Sequence, residues 1–242
     1  MIKIVKQLPN LMTICNLLFG CIAIVQVFSG RTHIACLLIF AAAVMDFLDG
    51  FVARLLNAQS SIGKELDSLA DAVTFGVVPG MILFQLLAWA FAQKTNAIET
   101  NTAFFYPAFL VTAFAILRLA IFNTSENKTD RFKGMPTPAV ALFVACLPMI
   151  LLYDSNSMLS SKILNSNYLL GLIVVLSYLM VSGIEMFKLS PKAMLGKQFM
   201  MRWILIGISI IAIIVLKWAA ALVILPTYLI CSKIEFSFLN KN

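Results

Sequence analysis

The sequence predicts an all-α protein, a polytopic bundle of membrane-spanning helices. Three observations carry that expectation. Of the 242 residues, 61% are apolar and only 12% are charged, whereas about a quarter of the residues in an ordinary soluble domain are charged. The mean hydropathy is +0.96. The apolar residues also gather in runs near the length a spanning helix requires, about 20 residues for a hydrocarbon core about 30 Å thick. A compact soluble domain of this size needs more polar surface than the chain possesses, which excludes the cytosolic globular class.

Taken in order, the apolar runs cover about 9–28, 34–56, 67–92, 103–122, 136–153, 167–187, 203–217 and 219–232, giving about eight spans. Polar breakers separate them: SGRTH after the first, QKTNAIETN after the third and NTSENKTDRFKG after the fourth. Pro136 and Pro138 mark a helix start, because proline is tolerated in a first turn. The last two runs are short and share Lys217 at a tight turn. The opening MIKIVKQLPN does not resemble a cleavable signal, since a polar gap and Pro9 precede the first apolar run. No repeat or low-complexity tract divides the chain, so residues 1–242 are expected to form one integral membrane domain.

Charge orients the bundle. There are 18 Lys and Arg against 11 Asp and Glu, a net charge of +7. The cations form no stripe and do not alternate with aromatic residues, so nucleic acid is not an expected partner. They lie between the apolar runs instead. All but four of them (Arg31, Lys94, Lys162 and Lys217) fall on one side of an eight-span arrangement. By the positive-inside rule that side is cytoplasmic and carries both termini. The five cysteines lie in or beside apolar runs without a CxxC pair, as small reduced packing residues do.

The chemistry is expected among the acids. Asp46 and Asp49 lie at i, i+3 near the end of the second run, and Asp67 and Asp71 lie at i, i+4 at the start of the third. Each pair shares a helix face. The short connection NAQSSIGKE makes the two helices antiparallel neighbours, so all four carboxylates can converge at the cytoplasmic end. An Asp at membrane depth costs about 3 kcal/mol or more, and four together require compensation. With no His or Cys nearby they form a hard, oxygen-only ligand set, suited to Mg²⁺, Mn²⁺ or Ca²⁺ rather than zinc. Gly50, Ala53 and Gly63 permit close approach of a helix or ligand, and Arg54 and Lys64 add positive charge at the rim. Divalent cation, small residues and flanking cations describe a site for a phosphate or diphosphate ester. Ion-coupled transporters also place carboxylates in the membrane, but near the midplane on broken helices.

The spacing Asp46-x₂-Asp49-Gly50-x₂-Ala53-Arg54-x₈-Gly63-x₃-Asp67-x₃-Asp71 resembles the signature of the CDP-alcohol phosphatidyltransferases at all eight defined positions. Further stretches resemble the membrane-embedded phosphatidylserine synthases within that superfamily. They are Pro9-Asn10-Leu-Met-Thr13-x₂-Asn16-x₃-Gly20, ADAVTFGVVPG (70–80), LRLAIFN (117–123), GMPTPAVA (134–141) and, more loosely, LMVSGIEMFKLS (179–190). Three positions depart from the pattern. Ile121 stands where a second Arg is expected, and Gly183 and Glu185 where Arg and Pro are common. All three lie outside the acidic motif and bear on the acceptor.

The resemblance implies a six-helix catalytic core over about 9–190, followed by two extra helices over about 203–232. It implies transfer of the phosphatidyl group from CDP-diacylglycerol to L-serine, giving phosphatidylserine and CMP at the cytoplasmic face of a bacterial-type inner membrane. Asp46, Asp49, Asp67 and Asp71 would hold one or two ions, Mg²⁺ or Mn²⁺, with Ca²⁺ as a third candidate. Asp71 would be the general base, and Gly50, Ala53, Arg54 and Gly63 would receive the nucleotide. Arg118, Asn123, Arg131 and Lys133 are candidates for substrate contact. Asn10, Thr13 and Asn16 share one helix face and suit helix–helix hydrogen bonding at least as well as ligand contact. The resemblance also implies a homodimer in membrane lipid. Relatives that use glycerol 3-phosphate, inositol phosphate or choline share the acidic motif, so another acceptor is the alternative reading. A cation-coupled transporter is the alternative from a different class.

Overall fold

The computed structural model describes residues 7–94, 101–124, 131–153, 157–187 and 200–239. It is a helical bundle with one small β-ribbon. Helix α1 (Leu8–Phe28) is followed by α2 (Thr32–Leu55) and α3 (Ser61–Asp71). A π-helical segment, Ala72–Val77, leads into α4 (Val78–Lys94). A 3₁₀ turn at Thr102–Ala108 opens α5 (Phe109–Thr124). Strand β1 (Arg131–Lys133), α6 (Thr137–Tyr153), the short α7 (Ser157–Ile163), α8 (Ser166–Val181) and strand β2 (Glu185–Phe187) come next. Helices α9 (Met200–Leu216) and α10 (Ala221–Leu239), joined by a 3₁₀ turn at Lys217–Ala220, close the chain.

Five helical stretches among the described residues are long and apolar enough to cross a membrane: Leu8–Phe28, Thr32–Leu55, Ser61–Gln93, Thr102–Thr124 and Met200–Phe236. The last contains Lys217 at φ 50°, where the chain turns back and α9 packs against α10. Helices α6 and α8 are equally apolar but shorter. This is an integral membrane protein, and each of the eight apolar runs read from the sequence contains a helix.

Packing within the bundle follows membrane rules. The buried face of α1 is Pro9, Thr13, Asn16, Gly20, Ala23 and Val27, spaced three and four apart. Its large side chains, including Leu11, Leu18 and Val25, point outward. Small and polar residues therefore meet the bundle while bulky ones face lipid. Gly20 admits Thr74, whose hydroxyl donates to the Asn16 carbonyl at 3.2 Å. From the other side, the Thr112 hydroxyl donates to the Gly76 carbonyl at 2.9 Å. The two threonines thus pin the π segment. Such a shift of hydrogen-bond register is expected just before Pro79, which has no N–H to offer the Phe75 carbonyl. Helices α4 and α6 form the interior, with Ile82, Leu83, Leu86, Val144, Leu147 and Ile150 fully buried or nearly so.

Several boundaries differ from the sequence expectation. The third span begins at Ser61 rather than 67, because the Ser60 hydroxyl caps the helix by accepting from the Gly63 N–H at 3.0 Å. The sixth ends at Val181 rather than 187, because Ser182 turns to extended backbone and β2 follows. Helix α7 and the ribbon were not anticipated. The ribbon is antiparallel, with Arg131 opposite Phe187, Phe132 opposite Met186 and Lys133 opposite Glu185. Three-residue strands are too short to show an alternating pattern.

The ribbon is fixed to the bundle at Gly134. This residue has φ 77°, and a Cβ there would run into the Met180 carbonyl. Its N–H donates to the Ile184 carbonyl at 2.9 Å, and the Met135 N–H donates to the Leu179 carbonyl at 2.9 Å. The five cysteines are unpaired, with Cys36, Cys146 and Cys231 buried. Gly134→Ala is expected to destabilise the protein by about 1 kcal/mol or more. That would lower the midpoint of thermal unfolding in detergent by about 2–4 °C, a shift readable by tryptophan fluorescence.

Candidate active site

The acidic residues occupy the facing ends of α2 and α3. Helix α2 stops in a Schellman turn in which the Ala58 N–H donates back to the Ala53 carbonyl at 2.9 Å. Asn57 takes the left-handed conformation this turn requires, with φ 49°. The capped start of α3 follows directly and returns the chain beside Asp46 and Asp49. The two helices, expected as antiparallel neighbours, bring their carboxylates together without packing closely along their length. Helix α1 packs along both, and they approach each other far less closely.

That separation leaves room for the carboxylates. One oxygen from each of Asp46, Asp49 and Asp67 lies within 4.8 Å of the others. Asp71 lies outside this trio, yet close enough to interact electrostatically with all three. Asp49 and Asp71 are buried, and Asp46 and Asp67 are half-buried. At an effective dielectric constant of about 20, two unit charges about 5 Å apart repel by about 3 kcal/mol. The protein offers partial relief from α1, where the Thr13 hydroxyl donates to Asp49 Oδ2 at 2.5 Å and Asn16 Nδ2 donates to Asp71 Oδ1 at 3.3 Å. One buried oxygen, Asp67 Oδ1, has no hydrogen-bond partner among the described residues. Clustered oxygen-only donors and an unpartnered buried carboxylate oxygen fit a divalent cation.

The other sequence-predicted residues distribute around this centre. A Cβ at Gly50 would meet nothing within 4 Å, so the backbone is open to a ligand there. At Gly63 the equivalent space is taken by Asn10 and Ser60, each 3.0 Å away, so this glycine lets α1 come close. Ala53 is half-buried, and Arg54 is exposed, with its Nε donating to the Gly50 carbonyl at 2.8 Å. Arg118 is buried near the end of α5. Its Nη1 reaches Thr137 Oγ1 at 3.5 Å, its guanidinium lies 6.0 Å from the Phe122 ring centre, and its Nε has no hydrogen-bond partner among the described residues. It also interacts electrostatically with Asp71. Asn123 donates to Ser68 Oγ at 2.7 Å, tying α5 to α3 one residue beyond Asp67. Lys133 is exposed at the end of β1, and the Arg131 side chain lies outside the described residues.

Beside the cluster opens a largely apolar cavity of about 1110 Å³. Asp46 lines it at the carboxylate end and Lys217 and Trp218 at the other, with walls from α6, α9 and α10. A cavity of this size and lining suits a hydrocarbon chain better than a small polar solute.

The sequence reading understated Thr13 and Asn16. Their signal was available as polar residues three apart on the buried face of an apolar helix. Their carboxylate partners, 36 and 55 residues away, were not.

The fold and the acidic cluster define a polytopic membrane protein with a candidate cation site, and comparison with known sequences identifies the family. The family model described as CDP-alcohol phosphatidyltransferase matches residues 6–181, and the chain belongs to this family of membrane enzymes. A CDP-diacylglycerol–serine O-phosphatidyltransferase of Helicobacter pylori (strain J99) is 34% identical over 242 residues, covering 97% of this chain and 95% of that protein. The Bacillus subtilis protein of the same name is 36% identical over 182 residues, 74% of this chain and 89% of its own length. An archaetidylserine synthase of Methanothermobacter thermautotrophicus is 27% identical over 180 residues, 74% of this chain and 68% of that one.

Thr13→Val, which removes the bond to Asp49 while keeping the shape, is expected to weaken Mn²⁺ binding by about 10-fold or more. Titration of the purified protein with Mn²⁺, followed by paramagnetic resonance of the free ion, reads this directly.

Proposed function

We propose that this protein transfers the phosphatidyl group of CDP-diacylglycerol to L-serine, releasing CMP. The observation that carries the reading is the carboxylate trio beside Asp71, at one end of a lipid-sized apolar cavity. The names of the similar proteins support serine as acceptor. Asp46, Asp49 and Asp67 would hold the cation, with Asp71 completing the set. One or two Mg²⁺ or Mn²⁺ ions, or Ca²⁺ in their place, would supply neutralising charge to the diphosphate.

The chain's own groups account for the remaining steps. An acyl chain of the lipid lies in the cavity between α6, α9 and α10, which brings the diphosphate to the Asp46 end. The nucleotide rests against the open backbone at Gly50 and Ala53, with Arg54 at the rim. Gly63 serves the nucleotide indirectly, by letting α1 support the carboxylates. Arg118, buried with an unsatisfied N–H, receives the serine carboxylate by a charge-assisted hydrogen bond. Asp71 takes the proton of the serine hydroxyl as its oxygen attacks the β-phosphoryl group. A new P–O bond forms, the bond to the CMP oxygen breaks, and the departing phosphate keeps that electron pair. A carboxylate near pKa 4 is a weak base in water, so its effectiveness rests on the position that Asn16 gives it. Asn123 orients α5 against α3, and Lys133 and Arg131 lie on the ribbon at the acceptor side.

By the distribution of Lys and Arg, the site and both termini face the cytoplasm. The trio is assembled within one chain, so the homodimer implied by the resemblance is not required to build it.

CMP release from CDP-diacylglycerol, measured with Mn²⁺ and with serine, glycerol 3-phosphate or inositol phosphate as acceptor, tests the reading. Serine-dependent release is expected, with Asp71→Asn slower by about 100-fold or more. Release with another alcohol alone would move the acceptor assignment. Absence of release from folded protein with every acceptor would overturn the transferase reading, and cation-driven uptake in liposomes would then favour a transporter.

A further inference from the structure

Residues beyond 181 lie outside the matched family segment, yet they contain a buried polar cluster. Arg202, near the start of α9, pairs with Glu235, near the end of α10. Nη2 to Oε1 is 2.8 Å, Nε to Oε1 is 3.2 Å, and both side chains are almost wholly buried. The pair closes the open end of the α9–α10 hairpin. The same guanidinium lies 5.2 Å from the Phe187 ring centre. The Tyr228 ring meets Phe187 edge-on with centroids 5.2 Å apart, and its hydroxyl donates to the Phe187 carbonyl at 2.9 Å. The last residue of β2 is therefore gripped on its ring by Arg202 and Tyr228, and on its backbone by Tyr228.

Through the ribbon that grip reaches Arg118. Phe187 stands opposite Arg131, and β1 runs on through Lys133, Gly134 and Met135 to Thr137. Thr137 is the residue Arg118 Nη1 touches, and Tyr228 also interacts electrostatically with Arg118. An ion pair this deep carries a large desolvation cost that a packed apolar pair would avoid. Stabilising the hairpin is therefore a poor reason to have one here, and fixing a position is a better one.

We propose that the C-terminal hairpin positions the acceptor site, with Tyr228 as the positioning residue that holds ribbon β1–β2, and through it Thr137, against Arg118. The proposal rests on the transferase reading above and deepens it. Tyr228→Phe keeps the ring on Phe187 and removes the hydroxyl. In the full-length protein, reconstituted in lipid, this variant is expected to raise the KM for the acceptor alcohol by about five- to tenfold, the effect of one lost hydrogen bond. It is expected to keep kcat at saturating acceptor. A merely structural role would lower kcat with the loss of folded enzyme and leave the KM unmoved. Hydrogen exchange gives a second measurement independent of turnover, and the amides of Gly134 and Met135 are expected to exchange faster in Tyr228→Phe while those of α1–α3 do not change. An unchanged acceptor KM, or ribbon amides that exchange as in the unaltered protein, would overturn the proposal. If the unaltered protein releases CMP with an alcohol other than serine, the KM for that alcohol is the quantity read, and the serine assignment fails without the positioning role. If it releases none, the transferase reading fails and the acceptor role of the hairpin falls with it.

Discussion

The structure depends on holding like charges together in a place that disfavours any charge at all. Asp46, Asp49 and Asp67 bring oxygens within 4.8 Å of one another, with Asp71 close behind, inside helices that cross a membrane. Nothing in two facing helices would keep these carboxylates at that separation, since repulsion drives them apart and the medium gives them little hydration. Helix α1 resolves the conflict. It packs along both carboxylate helices and meets them with small and polar residues. Thr13 holds Asp49, Asn16 holds Asp71, and Gly63 lets the backbone come close enough for these bonds to form. The remaining carboxylate charge makes the trio a candidate cation site.

The same logic explains the irregular segment after Asp71. Membrane helices leave no backbone group to water, so a shift to π spacing persists only where side chains meet the displaced carbonyls. Thr112 of α5 donates to the Gly76 carbonyl, Thr74 ties the segment to the Asn16 carbonyl of α1, and glycines at 20 and 80 make the space for the two hydroxyls. Helix α3 can therefore start at the membrane surface as an amphipathic helix and continue into α4 as a buried one, with its two acids kept on the site-facing side.

The second half of the molecule is organised around the ribbon. The ribbon is small, but it joins elements that are far apart in the chain: β1 follows α5 with its buried Arg118, and β2 is gripped by a hairpin outside the matched family segment. The hairpin contributes both the wall of the apolar cavity and the clamp on Phe187. One pair of helices thus touches both the cavity and the ribbon.

The sequence by itself determined the membrane class, the eight helical runs and the four acids. Those properties are written in hydropathy and short-range spacing, which the chain carries without reference to its partners. It also marked Thr13 and Asn16 as polar residues on one face, and Arg118 as an ionisable residue at a span end. Tertiary structure alone decided what they touch. Thr13 meets Asp49 across 36 residues, Asn16 meets Asp71 across 55, and Tyr228 meets Phe187 across 41. The ribbon was illegible for a related reason: strands of three residues have no period, and they pair across more than fifty residues of chain. Likewise the short loop between α2 and α3 predicts antiparallel neighbours but not what lies against them. Helix α1 packs along both, and the carboxylates of the candidate site meet across the space between the facing helix ends, a placement that only the tertiary structure decides.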